Sequence, residues 1–165
     1  MSNGIILKSI LAIVAAGLIL SFSSCMKDEK KIIGEWKYEK TELKEFACSD
    51  PLVNANAKPM AQKYFEGTII GDVEFTEDGK AIFVSNMYGE MVGTYTLSNS
   101  KLTLVTPSRT EVYDISFSDK KTMCLNRDAD KLTLDSLHQY LQQFFIGEIE
   151  VKVTKCNITT ILTKK

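Results

Sequence analysis

Histidine occurs once in these 165 residues, tryptophan once and proline three times, and neither sign of charge prevails. The lone His138 has no partner that the sequence nominates to orient it, so it makes no general base. The four cysteines include no Cys-x-x-Cys pair that could hold zinc. No Gly-x-Ser-x-Gly elbow is present to carry a nucleophile, and Gly67 and Gly71 lack the spacing that cradles phosphate. Twenty basic residues against 21 acidic ones leave a net charge of −1, which is no footprint for nucleic acid. These absences predict no enzyme, no metal, no other cofactor and no nucleic-acid partner. A membrane-spanning run is missing as well. The longest apolar stretch is Ile10 to Leu20, well short of the ~20 residues that cross a hydrocarbon core.

That short stretch is nonetheless the most informative part of the chain. Lys8 precedes it, and Ser21-Phe22-Ser23-Ser24-Cys25 follows. A charged start, an apolar run and small residues at its end are the parts of a secretory signal. A cysteine directly after the small residues resembles a bacterial lipobox, although Phe22 stands where an aliphatic residue is usual. The resemblance implies cleavage before Cys25, diacylation of its thiol and attachment to a membrane. Met26-Lys27-Asp28-Glu29 resembles the lysine-plus-acidic address of some Gram-negative lipoproteins, which implies a surface-exposed place on the outer membrane of a bacterial envelope. The chain then divides into a signal peptide (1–24), a tether (25–32) and one domain (33–165), whose length suits a single core. Cleavage removes Lys8 alone among the charged residues and leaves 19 basic side chains against 21 acidic.

Cys48, Cys124 and Cys156 remain. An oxidising compartment permits one disulfide but three cysteines leave one over. Unpaired thiols are the first expectation. Cys124–Cys156 ranks first among the three pairings, with Cys48 in a turn-like setting beside Ser49-Asp50-Pro51.

From Gly34 onward, apolar and polar residues alternate with period two between turn residues. Trp36 and Tyr38 alternate with charges and lead on to Phe46. Val73 and Phe75 run into Glu77-Asp78-Gly79-Lys80, a hairpin signal, and the strand returns over Ala81–Met87. Gly93–Leu97, Lys101–Val105, Val112–Phe117, Lys121–Leu125 and Glu148 to about Leu162 follow. The alternation slips near Thr154-Lys155, as at a bulge. Eight strands at this spacing predict a mainly β protein, an antiparallel barrel or sandwich.

Two stretches interrupt the pattern. Residues 47–67 are too long for a hairpin loop, and Pro59 suits the first residue of a short helix ending at Gly67. Over 134–147, Leu134, Leu137, Leu141, Phe144 and Phe145 share a helical face. Ser136 and Gln139 form a capping-box pattern there, and Gly147 suits the C-cap. That face has to cover the open end or flank of the sheet.

Gly34-Glu35-Trp36-Lys37-Tyr38 is similar to the Gly-x-Trp start of lipocalins. With Phe75–Gly79 and Gly93–Leu97 it resembles the lipocalin-like domains of bacterial envelope lipoproteins, which also carry a helical insert after the first strand. The resemblance implies an eight-stranded antiparallel lipocalin-like barrel in which Trp36 plugs the closed end. Tyr38, Phe75, Phe83, Met87, Tyr95, Tyr113 and Phe117 would point inward. Such side chains either fill a barrel of this size or line a pocket for one small ligand. The expected function is therefore a non-enzymatic lipoprotein that binds a small apolar ligand. The alternative is a filled barrel serving as a protein-interaction or inhibitor module, with the 47–67 insert and the 134–147 helix against its partner.

Overall fold

A computed structural model of the chain describes residues 30–68, 71–85, 89–145 and 151–165. Cys25, Met87 and Gly147 lie outside these residues. The elements run β1 (Gly34–Cys48), α1 (Pro51–Thr68), β2 (Asp72–Phe75), β3 (Lys80–Ser85), β4 (Gly89–Ser98), β5 (Lys101–Val105), β6 (Thr110–Phe117), β7 (Thr122–Asp128), α2 (Lys131–Gln142) and β8 (Val153–Lys164). Each strand pairs antiparallel with its neighbours in chain order, and β8 returns to β1, which closes an eight-stranded barrel. The expected architecture, with a helix after the first strand and another before the last, is the one observed.

Turn chemistry sets the registers. Gly79 closes the β2–β3 hairpin at φ +81°, a region glycine enters without strain. Asn99 and Ser100, both at positive φ, make the two-residue β4–β5 turn that matches strand twist. Gly93 is needed for a different reason: a Cβ there would sit 2.5 Å from the Val105 carbonyl oxygen of the neighbouring strand.

β1 and β8 are much longer than the strands beside them. β2 pairs with β1 only over Gly34–Trp36, whereas β8 follows it to Cys48. Three register shifts bend this ladder, one of them opposite Thr154, where the sequence alternation slips. The ladder therefore runs on past β2 as an arm of the barrel, with β7 still paired to β8 as far as Asp128–Asn157. Its concave face continues from Trp36 and Leu162 inside the barrel, past the facing pair Thr41 and Thr160, to Leu43, Ile158 and Cys156 under the helices.

The helices differ from expectation at their starts. α1 begins at Pro51, so Pro59 lies inside it rather than at its head. Asp50 starts the helix, accepting the Leu52 N–H at Oδ1 (2.9 Å), and Pro51 takes the position where a missing N–H costs nothing. Pro59 and Ala55 are exposed, so the backbone bond that Pro59 removes faces water. α2 begins at Lys131, not 134, because Asp130 is its N-cap and accepts the Thr133 N–H at 2.7 Å. Ser136 sits one turn too late to cap, and its hydroxyl donates to the Leu132 carbonyl (3.0 Å). Leu137 and Leu141 are buried as expected, whereas Phe144 falls past the end of α2 and is exposed.

Cys48 is also unlike its expectation: it is the buried last residue of β1 rather than part of the insert. All three cysteines are free. Cys124 pairs with Ile161, five residues along β8 from Cys156, roughly 17 Å away. That is too far for a bridge.

Candidate functional site

The barrel interior was the first candidate for a site. Phe75, Phe83 and Tyr113 are buried in one cluster with Trp36, Leu102, Leu104, Met123, Leu125 and Leu162, and Tyr38, Tyr95 and Phe117 pack against it. The rings contact one another: Phe75 and Tyr95 meet edge to face at 5.0 Å, and Phe117 lies 6.1 Å from Trp36. Tyr95 also donates its hydroxyl to the Thr76 carbonyl (2.8 Å). The structure thus brings together the six described members of the proposed pocket lining, as packing. Trp36 is fully buried at the end where the chain enters, its Nε1 donating to the Ile32 carbonyl at 2.6 Å.

At the opposite end the interior becomes polar. Tyr113 donates its hydroxyl to Glu111 Oε2 (2.9 Å), and burial pushes the phenol well above its ordinary pKa. Glu111 Oε1 lies 3.0 Å from Arg109 and 3.3 Å from Arg127, yet neither guanidinium aligns to hydrogen-bond it. The Arg127 guanidinium stands 5.9 Å over the Tyr113 ring. Arg127 and Glu111 are both nearly enclosed, so their charges must balance within the cluster. A cleft of about 140 Å³ adjoins them, lined by Tyr64, Phe65, Arg109, Arg127, Leu132, Thr133 and Ser136. Sequence reasoning missed this cluster, though it left a signal. Glu111 shares inward parity with Tyr113 and Ile115, and Arg127 shares it with Met123 and Leu125.

His138 has a structural task. Its Nε2 accepts the Val153 N–H at 2.6 Å and so ties α2 to the start of β8. The apolar stripes of both helices pack inward, into a core of their own beyond the barrel interior. Val53, Ala57, Ala61 and Phe65 form the buried stripe of α1, and Leu137 and Leu141 that of α2, all within the second core.

The outer wall divides into two unlike halves. Around β1 and β2 it carries Glu35, Lys37, Glu39, Lys40, Glu42, Asp72 and Glu74. Lys40 and Lys44 both pair with Glu42, holding its carboxyl down at a pKa of about 2. Across β3 to β6 the outward positions are Val84, Val92, Val105 and Val112, 43–52% exposed, with Ile82 and Thr94, Thr96, Thr103 and Thr110 among them. Ile82 pairs with Val92, Thr94 with Val105 and Thr103 with Val112, so the patch is continuous. Charges border it: Glu90 pairs with Val84, Lys80 pairs with Thr94 and is ion-paired to Asp78, and the Lys101–Asp114 ion pair stands at the other end.

Comparison of the chain with protein-family models, with curated proteins and with solved structures finds no match.

Proposed function

We propose that this protein is a non-enzymatic, lipocalin-like lipoprotein, anchored through Cys25 to the outer membrane of a bacterial envelope and facing outward, that binds a protein partner. The observation that carries the reading is the Val/Thr wall of β3–β6, uncharged at its centre and charged only at its margins, at Lys80, Glu90 and the Lys101–Asp114 pair. Contiguous apolar surface on one side of a small domain marks an interaction site. The partner is a protein presenting a similarly uncharged, apolar surface, since charged side chains there would lose hydration without gaining an opposite charge. The barrel closes on itself and α1 covers the β1 edge that runs beyond it, so contact is made by side chains rather than by strand extension. The packed interior supports this reading over an apolar ligand, for which the Phe75, Phe83, Tyr95 and Phe117 rings would have to separate.

Photo-crosslinking in the native envelope tests it. A photoreactive residue at Val84 or Val105 is expected to give one defined protein adduct, and one at Lys37 none. Val92→Lys should abolish the adduct while shifting stability by less than ~0.5 kcal/mol. Equal labelling from both walls, or native mass spectrometry finding a bound apolar small molecule, would reject the reading.

A further inference from the structure

The arginine cluster at the polar end of the barrel is balanced in charge but not in hydrogen bonds. Glu111 Oε1 lies 3.0 Å from Arg109 and 3.3 Å from Arg127. Asp130 adds a second carboxylate, held below the usual range first by its Thr133 hydrogen bonds and then by the charges of both arginines. Two guanidinium groups thus meet two carboxylates, and the cluster needs no further counter-ion. Its donors are another matter. The Arg127 side chain is only 8% exposed, and among the described residues nothing accepts a hydrogen bond from its guanidinium. A buried polar group is almost always satisfied by protein, water or a ligand, because leaving it unpaired costs free energy. Glu111 Oε1 is the one fully enclosed side-chain oxygen or nitrogen without a hydrogen bond among the described residues. The Arg127 nitrogens therefore keep some access, and the side chain lines the cleft of about 140 Å³.

The other walls of the cleft narrow the choice of occupant. Ser136 spends its hydroxyl hydrogen on the Leu132 carbonyl (3.0 Å), which leaves its oxygen able to accept. The Tyr64 and Phe65 rings and the exposed Leu132 side chain supply apolar surface. The volume is close to the ~150 Å³ that takes up benzene, so one molecule of about six heavy atoms meets the guanidinium, the hydroxyl and the rings together. A carboxylate would satisfy Arg127 but add negative charge to a balanced, mostly enclosed cluster. A carboxamide satisfies it without charge. We propose that the Arg127–Ser136 cleft binds a small uncharged molecule ending in a carboxamide. The amide oxygen accepts from the Arg127 guanidinium, the amide N–H donates to Ser136 Oγ, and the short hydrocarbon part lies against Tyr64, Phe65 and Leu132. This site is additional to the Val/Thr wall and does not rest on the lipid anchor.

Three probes matched in size separate the chemistry: butyramide, butyrate and pentan-2-one. Each is titrated into the mature chain in detergent, and the Arg127 side-chain N–H and Ser136 backbone amide signals are followed by NMR. Butyramide should give saturable shifts at both residues, in the millimolar range expected of so small a ligand. The ketone keeps the oxygen but has no N–H, and should bind about fivefold more weakly. Ser136→Ala should remove that advantage of the amide and leave the ketone unchanged. Arg127→Lys, which keeps the charge and loses the planar fork, should weaken both. Should that variant fail to fold, Ser136→Ala on the surface of α2 decides alone. Butyrate binding as tightly as butyramide overturns the proposal and assigns the cleft to anions. Unchanged butyramide affinity in Ser136→Ala also overturns it. Shifts that stay linear with concentration for all three probes overturn it as well, leaving water as the occupant.

Discussion

β1 and β8 run through both the cylinder and the arm that leaves it, yet the two regions are held by different means. In the cylinder β1 pairs with β2 over Gly34–Trp36 and takes up β8 at Trp36, and the interior is filled by large side chains such as Trp36, Phe75 and Met123. Along the arm β1 keeps β8 on one side and loses β2 on the other. The open edge is closed by helix side chains. Gln62 of α1 accepts the Leu43 N–H (3.1 Å) and donates to the Thr41 carbonyl, and Asn54 accepts the Cys48 N–H (2.6 Å). Asp72 does the same nearer the barrel, accepting the Tyr38 N–H at 3.0 Å. Ala57 and Ala61, both fully buried, let α1 come close enough for these short amides to reach. A sheet edge can thus be protected by a helix laid along it as well as by another strand.

If the cylinder core is the principal support, its largest side chain should cost most to remove. Trp36→Ala is expected to destabilise the protein by about 3–5 kcal/mol, read from the urea midpoint. A loss under ~1 kcal/mol would mean that the cylinder is not what holds the molecule.

The arm should fail more locally. Gln62→Leu leaves the Leu43 N–H and the Thr41 carbonyl without partners, at about 1–3 kcal/mol. Amide exchange should accelerate at Leu43 and Cys48 while Phe75 and Leu104 keep their protection. Acceleration throughout would make cylinder and arm one cooperative unit.

This contrast also separates what was legible in the sequence from what was not. Period-two alternation and Asp78-Gly79 located the cylinder strands because each signal is local. The arm depends on contacts far apart in the chain. Nothing near Gln62 announces that it bonds β1 some twenty residues earlier, and Pro59 pointed to a helix start because proline's preference is local while its solvent-facing position in α1 is tertiary. Asp130 is not legible as a cap because the apolar face of the helix starts only at Leu134, a turn later. The Glu111–Arg127 pair is hidden because charged residues at inward parity read as solvent-facing unless the partner across the barrel is known.

Capping gives a smaller effect on the arm. Asp130→Ala should cost about 1 kcal/mol. The hydrogen bonds from Thr133 hold the Asp130 carboxyl below the usual carboxylate range. Its contribution is therefore present above that range and lost as pH falls through the lowered value. Urea midpoints of the protein and of Asp130→Ala should converge in acid, and a constant gap down to pH 2 would remove the carboxylate from the cap.

The thiols compare the two regions with almost no effect on neutral stability. Cys124 is partly exposed on the cylinder wall, whereas Cys48 and Cys156 are buried in the arm. Burial raises the Cys48 thiol and pushes Cys156 up to about 12 from its ordinary 9. The thiolate is the reactive form, so iodoacetamide at mildly alkaline pH should label Cys124 first and the arm cysteines only after denaturation. The linkage has a definite sign. The unfolded Cys156 ionises near 9 while the folded one stays neutral, so its support is complete below pH 9 and declines as pH rises from there toward about 12. Cys156→Ala should lose less stability over that interval than the unaltered protein. Early labelling of Cys156 in the folded protein would show the arm opening independently of the cylinder.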